Sequence, residues 1–164
     1  MKELLIYRHS FACIDSDSGL DIDRRLSDFG EKVAKHMGGI VLSREVIPEM
    51  IMYSPAIRTK QTLEYTVLDW GPCKYLIELN SLYFDNEHQI FNDIIKEIER
   101  VENIDRLMII GHEPICSRMT ANLVGGCSVG FTEASIARIT FNKQEWSDIH
   151  YGDGLLLEVY TSNI

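Results

Sequence analysis

Four short apolar runs, Leu4–Tyr7, Met50–Tyr53, Tyr75–Leu79 and Leu107–Ile110, punctuate the chain, each bounded by polar or turn residues. Runs this short, three of them apolar at every position and the third broken only by Glu78, predict buried strands. Between them the period becomes helical. Ser27–Leu42 places Val33, Ala34, Met37, Ile40 and Val41 on one face, and Asn86–Val101 does the same with Ile90, Phe91, Ile94, Ile95 and Ile98. Two further helices are predicted over Pro55–Leu68 and Pro114–Val124, since proline suits the first turn of a helix. Strands alternating with such helices predict a three-layer αβα sandwich around a mostly parallel sheet. Near the C-terminus, Ser135–Phe141 and Leu155–Tyr160 are separated only by Asn142–Gly154, which lacks the apolar period of a crossover helix. Antiparallel edge strands are expected there. With no repeat, low-complexity tract or linker, residues 1–164 read as one domain.

The composition narrows the partners. The 164 residues are 45% hydrophobic, enough for an ordinary core, and 16 Lys+Arg against 25 Asp+Glu give a net charge of −9. Such a surface disfavours nucleic acid and anionic membranes, so any anionic ligand needs a local basic pocket. No segment at the start of the chain reads as a signal peptide or membrane span. The cysteines, Cys13, Cys73, Cys116 and Cys127, show no C-x-x-C spacing and read as free, mostly structural thiols in a reducing cytoplasm.

Three predicted strands run directly into polar motifs: Tyr7-Arg8-His9-Ser10, Tyr53-Ser54-Pro55-Ala56-Ile57-Arg58-Thr59 and Ile110-Gly111-His112-Glu113-Pro114. In an open α/β sheet the carboxyl ends of the strands share one edge, where ligands bind. Arg8, His9, Arg58 and His112 should therefore meet. His36, His88 and His150 lack that placement, and His36 and His150 read as structural. Two guanidinium groups and two imidazoles around one point suit a phosphoryl dianion, and the helix opening at Pro114 adds a positive dipole end. The sequence has no glycine-rich phosphate loop and no cluster of metal-binding carboxylates. Covalent transfer to a histidine remains, with neither metal nor cofactor required.

Taken together, Arg8-His9, Ser54-Pro55-Ala56 with Arg58-Thr59 and Gln61-Thr62, and Gly111-His112-Glu113-Pro114 resemble the histidine phosphatase superfamily, which has the phosphoglycerate-mutase-like fold. Asp23-Arg24-Arg25-Leu26-Ser27 with Gly30, and Phe131-Thr132-Glu133-Ala134-Ser135-Ile136-Ala137, resemble its small bacterial branch, the SixA-type phosphohistidine phosphatases. The resemblance spans nearly the whole chain. It implies that His9 becomes a phosphohistidine intermediate while Arg8, Arg58 and His112 hold the phosphoryl group. It also implies a substrate that is a phosphohistidine-bearing protein or a small phosphorylated molecule, with phosphate ion as product.

The chain departs from the family pattern in three places. Ser10 stands where the superfamily usually has glycine, and Arg25 replaces a common proline. The acidic proton donor of the mutase-like branches has no unambiguous counterpart in Leu82–His88, where Asp85 and Glu87 are the candidates, although acidic residues at a helix start commonly act as caps. A phosphoramidate needs less acid assistance than an alkyl phosphate, because its imidazole leaving group is readily protonated by solvent. Phosphohistidine in a protein is the leading expectation. A small-molecule phosphomonoesterase, or a phosphate-binding module without turnover, are the alternatives.

Overall fold

The computed structural model describes residues 1–84, 86–126 and 129–164. In chain order they form β1 (Lys2–Arg8), α1 (Asp28–Ser43), β2 (Met50–Tyr53), α2 (Ile57–Thr66), β3 (Tyr75–Glu78), α3 (Ser81–Phe84), α4 (Glu87–Ile98), β4 (Arg106–Gly111), α5 (Ile115–Leu123), β5 (Ile136–Phe141) and β6 (Gly154–Tyr160). Single 3₁₀ turns occupy Asp21–Asp23 and Trp146–Asp148. The sheet order is β3-β2-β4-β1-β5-β6. The β3-β2-β4-β1 pairings are parallel and the β1-β5-β6 pairings antiparallel.

The unbroken apolar runs follow from this layering. On alternate positions Leu4, Ile6, Met50, Met52, Leu107 and Ile109 pack against Ile90, Ile94 and Ile98 of α4 and Met119 and Leu123 of α5. The intervening Leu5, Tyr7, Ile51, Met108 and Ile110 pack against Val33, Met37 and Val41 of α1 and Leu63 of α2. Both faces of the central strands are therefore covered, as the three-layer reading required. On β3 at the sheet edge, Leu76 and Glu78 are exposed while Tyr75 and Ile77 are partly covered.

The boundaries reflect local chemistry. Ser27 accepts the Gly30 N–H at 3.0 Å and caps α1, while Asn86 accepts the Gln89 N–H at 3.1 Å and caps α4. α1 crosses α2 so closely that a Cβ on Gly38 would lie 2.0 Å from the Thr66 carbonyl oxygen. Two expectations change in detail. β5 lies inside the sheet between β1 and β6, so β6 alone forms that edge. Four-residue α3 is too short to leave a sequence period and was not expected. Cys13, Cys73 and Cys116 are free thiols, and Cys127 lies outside the described residues. Among the described residues, no helix is long and apolar enough to cross a membrane.

Candidate active site

Register alone brings three strand ends together. Arg8 of β1 pairs with Gly111 of β4, and Tyr53 of β2 pairs with Ile110 of the same strand. His9, His112 and Ser54 therefore leave the sheet side by side. Their exit is fixed by backbone bonds from His9 N–H to the Gly111 carbonyl at 3.0 Å and from Ser54 N–H to the Ile110 carbonyl at 3.1 Å. Arg58 enters from the first turn of α2. Arg8, His9, Arg58 and His112 line a cleft of about 380 Å³ together with Phe11, Ala12, Asp21, Arg24, Glu113 and Glu133.

The His9 ring is held in one tautomer. Its Nδ1 lies 2.7 Å from the Ser10 carbonyl oxygen, an acceptor only, so Nδ1 carries the proton and donates it. The lone pair is left on Nε2, where the Arg58 Nε–H donates to it at 3.3 Å. Burial, assisted by Arg58, Arg8 and Arg24, pushes the His9 pKa down to about 4. His112, whose ring centroid is 5.2 Å from that of His9, is pushed down to about 3 by burial and by the cations around it. Both imidazoles are neutral near pH 7.

The terminal nitrogens of Arg8 and Arg58 are already engaged. Arg8 donates through Nη1 to the Phe131 carbonyl at 2.8 Å and through Nη2 to Glu133 Oε1 at 2.9 Å. Arg58 donates through Nη1 to the Asp21 carbonyl at 2.6 Å and through Nη2 to Asp21 Oδ2 at 2.9 Å. Each guanidinium is thereby held rigidly, while its Nε–H and the second N–H of each terminal nitrogen take no part in these bonds. Arg8 Nε and His112 Nδ1 are buried and have no partner among the described residues. Arg58 Nε–H at the His9 lone pair, with Arg8 and His112 lining the same cleft, makes a basic pocket suited to the equatorial oxygens of a phosphoryl group.

Sequence reasoning assigned no role to Asp21, Arg24, Tyr83 or Glu133. Asp21 Oδ2 accepts from the Tyr83 hydroxyl at 2.8 Å as well as from Arg58, and Oδ1 accepts from Arg24 Nη1 at 3.0 Å. Burial opposes its ionisation, but these bonds outweigh it and hold the carboxyl well below the usual carboxylate range. Ser10 is accommodated where glycine is usual: its hydroxyl donates to the Gly30 carbonyl at 2.7 Å, and its N–H donates to Thr62 Oγ1 at 3.0 Å. Arg25 is exposed and does not line the cleft.

The acid candidates are placed differently. Glu87 Oε1 lies 3.7 Å from Arg118 Nε on α5, and Glu87 is not among the cleft-lining residues. Asp85 lies outside the described residues. The lining carboxylates are Asp21, Glu113 and Glu133. Glu113 accepts from the Ser117 N–H at 3.0 Å and from the Ser117 hydroxyl, tying it to the start of α5. Among the described residues no group of three His, Cys, Asp or Glu side chains is disposed to hold a metal ion. His36, His88 and His150 are exposed away from the cleft.

The depressed histidines make stability pH-dependent. In the unfolded chain each titrates near 6.5, against about 4 for His9 and about 3 for His112 in the fold. Between pH 6.5 and 4 the unfolded chain binds more protons, so stability falls as pH is lowered across that window. The limiting slope is about 1.4 kcal/mol per pH unit for each histidine. Urea unfolding at pH 7, 6, 5 and 4.5 should show this decline, and His112→Asn should flatten it.

No family model matches the chain. The uncharacterized protein Rv1276c of Mycobacterium tuberculosis, and MT1313 from a second strain of that species, are 30% identical to it over 122 residues, 74% of this chain and 70% of theirs. Among solved structures, the protein histidine phosphatase SixA complexed with tungstate aligns with a TM-score of 0.81 and 23% identity, over 96% of this chain and 95% of that one. A candidate phosphohistidine phosphatase SixA from Nakamurella multipartitia reaches 0.84 at 19% identity, over 99% and 97%. A mycobacterial glucosyl-3-phosphoglycerate phosphatase reaches 0.68 at 14% identity, over 95% and 97%.

Proposed function

This chain belongs to one family with Rv1276c and has the fold of the SixA-like histidine phosphatases, and from that premise and its cleft we propose that it is a phosphatase working through a covalent phosphohistidine at His9. The observation that carries the reading is the His9 ring, whose Nδ1–H is committed to the Ser10 carbonyl and whose Nε2 lone pair accepts from Arg58 Nε–H in the cleft that Arg8 and His112 also line. An incoming phosphoryl group draws the Arg58 Nε–H from that lone pair onto one of its own oxygens. The Nε2–P bond forms as the bond from phosphorus to the leaving group breaks, and the leaving group takes a proton from water. Water then attacks the phosphorus from the opposite side and gives a proton to the hydroxide left by the first step, the Nε2–P bond breaks with its electron pair returning to Nε2, and phosphate departs with His9 neutral again. Throughout, charge on the equatorial oxygens faces fixed donors.

Phosphohistidine is the substrate class that these residues favour. Asp21 is ionised and has no proton to donate, Glu133 is paired with Arg8, and both Glu113 oxygens accept from Ser117. A leaving imidazole tolerates that lack, whereas an alkoxide does not. At the mouth, Leu20 and Phe84 are exposed apolar residues beside Asp21 and Tyr83, a rim suited to a protein surface. Release of phosphate from a phosphohistidine protein, an aryl phosphate and a sugar phosphate, measured without added metal, tests the proposal. Turnover should be fastest on phosphohistidine, and Glu87→Gln should change it by less than about tenfold, the low side of what a positioned acid contributes. Preference for the sugar phosphate, or a loss of a hundredfold or more in Glu87→Gln, would overturn the substrate assignment.

A further inference from the structure

We infer that Ser54 is a positioning residue that locks His112 into the tautomer with its proton on Nδ1, so that this ring presents a donor to the phosphoryl group. The inference rests on the phosphatase reading for its consequence, but not for its geometry. Ser54 directly follows β2 with no exposed surface, and its Oγ lies 2.7 Å from His112 Nε2. Either atom can donate in such a pair, and two further observations decide between them.

The first is the hydrogen-bond inventory of the hydroxyl. Ser54 Oγ already accepts the Ala56 N–H at 3.3 Å. Among the described residues His112 Nε2 is the one acceptor within reach of its proton. Were Nε2 protonated, the Ser54 hydroxyl would be a buried donor without an acceptor, an arrangement folded proteins avoid. With the hydroxyl donating to Nε2, both groups are satisfied. The second is His112 Nδ1, which is buried and unpartnered on a cleft-lining ring. In the Ser54-directed tautomer it is an N–H awaiting an anion. In the other it is a lone pair, which repels a phosphoryl oxygen.

The remaining contacts hold the ring in place without fixing its proton. Tyr83 packs edge-on against His112 with centroids 5.2 Å apart, and His9 lies at 5.2 Å on a tilted plane. Neither contact offers Nε2 another hydrogen bond. Burial pushes the His112 pKa down to about 3, so the ring supplies one N–H near neutral pH and its tautomer decides where that N–H points.

Long-range ¹H–¹⁵N spectra of histidine-labelled, substrate-free protein at pH 7 read the tautomer directly. The expected result is a protonated Nδ1 and an unprotonated Nε2 for His112. In Ser54→Ala the Nε2–H form should gain population, affinity for inorganic phosphate should fall about tenfold, and turnover should fall about 10- to 100-fold, as when an orienting partner is removed from a histidine ligand. His9 should keep its Nδ1–H signal in that variant. Ser54→Thr, which retains the hydroxyl, should recover the Nδ1–H signal. A wild-type His112 protonated on Nε2 would overturn the inference even if Ser54→Ala failed to fold, and so would an unchanged tautomer in a folded Ser54→Ala. If the Ser54-dependent tautomer is present but phosphohistidine is not hydrolysed, the functional proposal falls and this assignment stands.

Discussion

His9→Ala should abolish turnover, lowering it by at least about 10⁴-fold, because covalent transfer has no substitute once its nucleophile is removed. The fold should survive. His9 follows the last residue of β1, and among the described residues its side chain makes only two hydrogen bonds, to the Ser10 carbonyl and from Arg58 Nε. Its loss also removes a group held neutral at an energetic cost below pH 6.5, so the variant should be less sensitive to acid than the parent. The covalent step has its own readout. Wild-type protein mixed with a phosphoramidate and quenched in alkali, where the P–N bond of phosphohistidine persists, should carry one phosphoryl group, on His9 Nε2. His112 cannot substitute, since its Nε2 is taken up by Ser54 at 2.7 Å. Label found on His112 would exchange the proposed roles of the two histidines.

The layered core and the convergence of strand ends were legible because both depend on patterns the chain repeats. Leu4–Tyr7 and Leu107–Ile110 are apolar at every position, which only a strand covered on both faces requires, and each has a histidine two residues beyond its end. Parallel pairing in register then aligns those histidines without further instruction. Asp21 was not legible. It sits in Ile14-Asp15-Ser16-Asp17-Ser18-Gly19-Leu20-Asp21, where every acid looks like a solvated turn residue. What distinguishes Asp21 is tertiary: the loop between β1 and α1 is tied back by Ala12 pairing with Leu26 and by Arg24 donating to the Cys13 carbonyl at 2.7 Å, which brings one carboxylate onto Arg58. Tyr83 escaped notice for a similar reason, since its hydroxyl meets Asp21 across 62 residues of sequence. Glu87, by contrast, stood out as an acid near the expected position. At the start of α4, however, its side chain meets Arg118 of the neighbouring helix.

Arg58→Ala is the second change with a large expected effect, and it separates two roles in one residue. As a clamp, Arg58 supplies the donor nearest the His9 lone pair, and removal of one preorganised donor of this kind costs about 10²- to 10³-fold in turnover. As a cation beside His9, it also helps hold that imidazole's pKa near 4, so its loss should move the His9 pKa upward toward 6.5. The acid limb of the kcat/KM profile should shift the same way, because more of the free enzyme is then protonated, and inactive, at pH 5 to 6. Arg58→Lys should keep most of the charge effect but not the rate, since one ammonium cannot reach the Asp21 carbonyl and Oδ2 while also facing His9. Asp21→Asn leaves Arg58 in place and should cost about tenfold, through looser orientation rather than a lost donor. The comparison needs kcat/KM on phosphohistidine across pH 4.5 to 8 for the parent and all three variants. An Arg58→Ala enzyme that kept its rate within tenfold, or whose acid limb did not move, would remove Arg58 from the clamp and leave it only the task of fixing the Asp21 loop.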